Sequence, residues 1–275
     1  MSATARAVPR PRGLKHPFRI LMVVAATEYK LKYADSWLGY VWSVIKPLAL
    51  FTLLYLVFGR IFKLGDVSEY YAVGLLIGIV LFTFFDDASS LGMTSIVANE
   101  SLVRRLAFPR AIVPASATVT AAITFAVNAV VVAGFIGLKG ITPQLDWLLI
   151  PLLLVELYVF VLGVAFVLST LYVFLRDIGQ VWELGLLLVF YASPIIYPIG
   201  FLPPWARDLA FINPFTQVLQ DVRALVLYPD VADNKVTAGD ALVGGRAIPI
   251  AVALGTFVFG LLLLRRHEAR FAERV

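Results

Sequence analysis

Ala98 to Pro114 reads ANESLVRRLAFPRAIVP, a polar stretch between two long apolar runs. Three arginines, Arg104, Arg105 and Arg110, fall within seven residues. Asn99 can cap a short helix, because its side-chain oxygen can accept from a free N–H of the first turn. Glu100 then stands where the helix dipole favours an anion. Leu102 and Leu106 are four apart and share a face. Phe108-Pro109 ends the helix, since the residue before a proline is pushed out of the α region. The stretch reads as a short amphipathic helix held between two membrane spans. Taken alone it reads more readily as an ordinary cytoplasmic loop whose arginines only set topology.

The runs around it decide the class. The chain has 275 residues, of which 60% are hydrophobic and only 15% charged, with a mean hydropathy of +0.88. A soluble domain is nearer half apolar with about a quarter charged. This is a polytopic, all-α membrane protein. The net charge of +5 is spread over the ends and one loop, so it reads as topology information and not as a nucleic-acid footprint. The absence of cysteine excludes thiol chemistry, disulfides and iron–sulfur sites. His16 and His267, the two histidines, lie near opposite termini, which argues against a catalytic or metal-binding histidine cluster.

Residues 1–17 read as a disordered basic arm, and 18–275 as one transmembrane domain. Over 18–33, Phe18, Leu21, Met22, Ala25 and Tyr29 share a stripe opposite Arg19 and Lys30, as in a helix lying in the membrane interface. A signal peptide cleaved near Ala26 is the competing reading, but its apolar core is at the short limit. Six spans follow, judged against the roughly 20 apolar residues a crossing needs. They are expected at about 40–61, 70–97, 112–138, 147–175, 181–199 and 247–264, the fifth broken late by Pro194 and Pro198. Lysine and arginine number 15 on the side of the two termini and 7 on the other. Both termini are therefore expected in the cytoplasm, together with Ala98–Pro114.

On the outer side, Asn213-Pro214 is a helix start. Phe215, Val218, Leu219 and Val222 then follow helical spacing, as in an amphipathic helix at the outer membrane surface. A shorter one is expected over 203–211.

The chain has no G-x-x-x-x-G-K-[ST] phosphate loop, so it cannot hydrolyse ATP by that route. Asp86-Asp87 lies inside the second span. Adjacent helical residues point about 100° apart and cannot share one substrate atom. Carboxylates at such depth either serve function, line water or pair with a neighbouring helix. Trp37, Tyr40, Phe51, Tyr55, Phe58 and Phe62 fall within about 60° around the first span. That stripe suits lipid or core packing. That packing is the commoner meaning of such a stripe, and the alternative is a path for sugars, whose C–H faces pack on aromatic rings.

The segments YADSWLGYVWSVIKP (33–47), NESLVRRLAFPRAIVP (99–114), LRDIGQ (175–180), SPIIYP (193–198) and Pro204-Trp205 through Asn213-Pro214 to Arg223 resemble, in order and spacing, the permease subunits of ABC-2-type exporters. They are most similar to the O-antigen, capsule and teichoic acid branch, and the likeness runs from about Phe18 onward. The resemblance implies a homodimer with two copies of an ATPase, in the cytoplasmic membrane, exporting a lipid-linked polysaccharide and contacting membrane lipid but no nucleic acid. It implies no catalytic residue, metal or cofactor on this chain, with ATP and Mg on the partner. Asn99, Glu100, Leu102, Arg104, Arg105, Phe108, Pro109 and Arg110 would form the coupling helix that docks on the ATPase. Residues 18–33 would be the interface helix, and Phe215, Val218, Leu219 and Val222 would lie on an outer gate helix. Tyr40, Phe51, Tyr55, Phe58 and Phe62, with Asp86 and with Trp182, Phe190 and Tyr197, would line the channel. A permease for drugs or small lipids is the alternative. A polytopic membrane glycosyltransferase would have to build its site from Asp230, Asp233 and Asp240 in a turn-rich outer tract.

Overall fold

The computed structural model describes residues 21, 22, 25, 39–66, 70–100, 109–227 and 237–274. Most of the interface-helix stretch lies outside them, but Leu21, Met22 and Ala25 are helical. Every regular element among the described residues is helical. The main helices are α1 (Gly39–Leu54), α2 (Tyr71–Ala98), α3 (Ile112–Leu138), α4 (Ile150–Phe174), α5 (Ile178–Ala192), α6 (Pro204–Ile212), α7 (Pro214–Leu227) and α8 (Ala247–Arg274).

Five segments are long and apolar enough to cross a membrane: Val41–Ile61, Tyr71–Ala98, Ile112–Leu138, Leu145–Phe174 and Ala247–Phe271. The chain is thus a multi-pass membrane protein. α2 is the hub, with Leu75, Leu76, Ile79 and Ala88 fully buried, and it packs on both α3 and α4. α1 is peripheral and leaves Val41, Trp42, Ile45, Leu50 and Leu53 exposed. It continues as a π-helical turn, Tyr55–Ile61, closed by the Phe62 N–H donating to the Val57 carbonyl at 3.0 Å. Lys63 then takes a left-handed φ of 57° and turns the chain toward α2.

Small residues set the closest helix contacts. A Cβ added at Gly163 of α4 would lie 2.5 Å from the Phe257 nitrogen of α8, and one at Gly260 would collide with the Gly163 carbonyl. The seam continues to the far end, where Phe174 meets His267 and Phe271 at 5.6 and 6.2 Å between ring centres. Buried hydroxyls return their protons to the preceding helical turn, as Ser116 does to Val113 O and Thr170 to Phe166 O. Asn128 does both, donating to Thr124 O of its own helix at 3.1 Å and across to the Ser43 carbonyl of α1 at 3.2 Å.

The expected fifth span, 181–199, is not one helix. α5 stops at Ala192, so its 15 residues cover only about 22 Å of a hydrocarbon core roughly 30 Å thick. Ser193 to Pro198 follows as non-helical chain, buried from Ser193 to Ile196 and half-buried at Tyr197 and Pro198. Nor does α7 lie with its apolar face against the membrane surface. Phe215, Val218 and Leu219 have no exposed area and Val222 is buried, all within the main core. Phe215 stands 5.9 and 5.5 Å from Phe82 and Phe85 of α2, while the Trp147 indole donates to Leu225 O at 3.0 Å near the start of α4. Phe82 and Phe85 are eleven and fourteen residues into α2, so α7 dips about 16–21 Å into the bundle. A helix that meets protein all round buries its polar face too, provided each polar group finds a partner.

Candidate functional site

On α7 the largest share of this pairing falls to one residue, while Gln217 Oε1 and Gln220 Nε2 are buried without a hydrogen-bond partner. Arg223 of α7 is 8% exposed. Its Nε and Nη2 donate to Gly74 O of α2 at 3.0 and 2.8 Å, Nη1 donates to Pro194 O at 2.6 Å, and Nη2 also donates to Ile195 O at 2.8 Å. The Tyr71 hydroxyl donates to the next carbonyl, Ile196 O, at 2.8 Å. Where α5 breaks off, successive carbonyls lose their helical partners, and at this depth each needs another donor. A guanidinium, with five donors in a fixed fork, answers them at once. Gly78 leaves the room, since a Cβ there would come 2.9 Å from Nη2. Tyr197 finishes the break by donating from its hydroxyl to the Tyr191 carbonyl at the end of α5, at 3.0 Å.

Beside this clamp runs an open groove of about 440 Å³ between α1, α2 and α5. Phe82, Phe190 and Tyr191 give it aromatic walls, and Asp86, Ser90 and Glu183 give it polar ones. Phe190 meets Phe82 edge-on at 4.9 Å, and Tyr191 at 5.3 Å. Asp86 Oδ1 accepts from the Ser90 hydroxyl at 3.1 Å, which keeps the carboxylate on the groove face of α2. The Trp182 indole donates to Ser89 at 3.1 Å and pins α5 to α2 just behind that face. Polar acceptors between aromatic faces suit a hydroxyl-rich ligand held weakly at many points.

Of the residues singled out for a channel, Asp86 and Phe190 line this groove, Trp182 backs it, and Tyr197 caps α5. The stripe of the first span lies apart. Phe51 stacks on Tyr55 at 5.8 Å and meets Phe135 of α3 edge-on at 5.7 Å, and Phe58 stacks on an exposed Phe62 at 5.4 Å. The α1 residue in the groove is Leu50. Tyr40 is helical, with its side chain outside the described residues. Glu183, Ser90 and Tyr191 went unread in the sequence, although Glu183 is the lone charge inside an otherwise apolar α5.

The coupling stretch is described only at its ends. Asn99 closes α2, its amide donating to Ser95 O at 3.0 Å, and Glu100 is again helical. Leu102, Arg104, Arg105 and Phe108 lie outside the described residues. Pro109 is exposed and Arg110 half-buried where α3 begins.

A second polar cluster joins α4, α7 and α8. Gln217 donates to Asp221 Oδ2 at 2.7 Å, and the same oxygen pairs with the half-exposed Arg246 at 3.1 Å. Glu156 Oε1 is buried there without a hydrogen-bond partner. Among the described residues no group of His, Cys, Asp and Glu is placed to hold a metal ion.

Sequence comparison agrees with this architecture. An O-antigen export system permease protein RfbA of Klebsiella pneumoniae is 29% identical over 216 residues, 78% of this chain and 83% of that protein. A second protein of that name and organism is 27% identical over 264 residues, 95% of this chain and 96% of its own length. A namesake from Myxococcus xanthus is 23% identical over 208 residues, or 75% and 79% of the two chains. The family described as ABC-2 type transporter matches residues 20–227, from ahead of α1 through the groove and the Arg223 clamp to the end of α7. With three quarters of its length inside that match, the chain belongs to the ABC-2 type transporter family.

Proposed function

We propose that this chain is the transmembrane subunit of an ATP-driven exporter that moves a lipid-linked polysaccharide across the cytoplasmic membrane. It works as a homodimer with two copies of a separate ATPase, which holds ATP and Mg and performs the hydrolysis. The observation that carries this reading is likeness along 95% of the chain to a protein named as an O-antigen export permease. Termini on the cytoplasmic side follow from the 15 to 7 excess of basic residues.

The groove supports a hydroxyl-rich cargo over a drug or small lipid. A polymer must be held without being trapped. Aromatic faces offer stacking that tolerates many sugars, on the order of 1 kcal/mol per contact by analogy with stacked bases. Asp86 and Glu183 add acceptors for hydroxyls. The exposed apolar faces of α1 (Val41, Ile45, Leu53) and α5 (Leu184, Leu187, Leu188) flank the groove and suit a second copy that closes it. Asn99–Arg110 is the segment that docks on the ATPase, and α7 is the element whose movement opens the outer end.

Export of polymer in cells that make it, normalised to membrane-inserted permease, tests this reading. Glu183→Gln and Tyr191→Ala alter exposed side chains, where folding costs stay within about 0.5 kcal/mol. Both substitutions should lower export severalfold without loss of the ATPase complex. Unchanged export in the double variant refutes the groove as the path. Transport of a short lipid at the expense of polymer favours the small-lipid permease.

A further inference from the structure

On the other side of α2, away from the groove, a cavity of about 220 Å³ lies between α2, α3, α4 and α7. Ile77 and Val80 form one wall, Phe125 and Ala129 another, and Val222 and Val226 of α7 the floor. Every side chain lining it is aliphatic or aromatic. The one polar side-chain atom among the lining residues, the Trp147 indole N–H, is already committed to Leu225 O. Water entering would find no partners, and apolar cavities of about 150 Å³ stay dry yet take up benzene. The mouth lies along Ala129–Ala133 of α3, where Ala133 is exposed and neighbouring Val130 is 72% exposed. These residues sit within a membrane-crossing helix, so the mouth opens onto lipid and not onto water.

We propose that this cavity binds one acyl chain of a membrane phospholipid. Four features select that occupant: wholly apolar walls, a volume too small for a helix, continuity with the lipid-facing side of α3, and a surrounding solvent made of such chains. The chain enters between α3 and the start of α4 and rests on α7. Bound lipid therefore bears on the helix that Arg223 clamps. The proposal stands independently of the cargo, since it needs only a membrane around the bundle.

The full-length chain in nanodiscs of phosphatidylcholine brominated at mid-chain provides the test. Trp147 lines the cavity, and its emission is read as the difference between the native chain and Trp147→Phe. Brominated lipid should quench that component. Ala129→Phe and Ala133→Leu, two separate plugs at the mouth, should each restore it. A Val130→Trp reporter on the open face of α3 should stay quenched in plugged and unplugged chains alike. Absence of quenching in the native chain overturns the proposal, and so does equal quenching in the plugged variants. Added unbrominated polyprenyl phosphate should leave the signal unchanged. If it relieves quenching, the cavity belongs to a prenyl chain and the acyl assignment falls.

Discussion

Replacing Arg223 by methionine keeps most of the side-chain volume and removes all four hydrogen bonds of the clamp. Gly74 O sits inside α2 and keeps its helical partner. Pro194 O and Ile195 O do not, and each buried acceptor left unsatisfied costs about 1–3 kcal/mol. Together that is roughly 2–6 kcal/mol, reduced because a guanidinium no longer has to be buried. A net loss of about 3 kcal/mol is expected, worth some 6–12 °C of melting temperature for a chain of this size. Arg223→Lys should fall between, since an ammonium has three donors and no planar fork. The loss should also be local. Amide exchange over residues 193–198 should accelerate in Arg223→Met while the centre of α2 stays protected. Tyr71→Phe, which frees only Ile196 O, should lose about 1 kcal/mol at the same place. A methionine variant that melts within a degree or two of the native chain, with exchange over 193–198 unchanged, refutes the idea that the guanidinium supports the broken helix.

Gly163→Ala sets a methyl against the backbone of α8, which cannot rotate away, so it should cost more than the 1–3 kcal/mol typical of overpacking, read as a lower melting temperature. Gly134→Ala, with open space around its Cβ, should cost nothing. Leu102→Ala with Phe108→Ala should leave the folded chain intact in a thermal melt yet uncouple ATP hydrolysis from export. Full export by that double variant removes the 99–110 segment from energy coupling.

The crossing helices were legible because long apolar runs broken by polar turns admit one solution. The sequence places α3 at 112–138, where it is found, and α2 at 70–97, one residue ahead of its observed Tyr71–Ala98. The region after Val181 was not legible, for a physical reason. Hydropathy records that a residue avoids water, not whether it meets lipid or protein. Ile195 and Ile196 therefore extended the fifth span in sequence, whereas in the fold they are core. The amphipathic spacing of Phe215 to Val222 suggested the membrane surface for the same reason, whereas Gln217, Gln220, Asp221 and Arg223 on the same helix are buried too. Only the fold supplies the carbonyls that make Arg223 tolerable inside. The groove was half legible. Asp86 stood out as a costly intramembrane charge, but its companions Ser90 and Tyr191 are unremarkable residues that packing alone brings beside it.

The α4–α8 seam has a mechanical consequence. Side-chain contacts yield, because rotamers can hop as helices slide. Gly163 against Gly260 brings main chain onto main chain, and Phe174 against Phe271 secures the far end, so neither helix can shear along the other. The pair behaves as one doubled beam about 37 Å long over the 25 residues of α4. Displacement at Phe271 is thereby tied to the opposite end, where Arg246 pairs with Asp221 of α7.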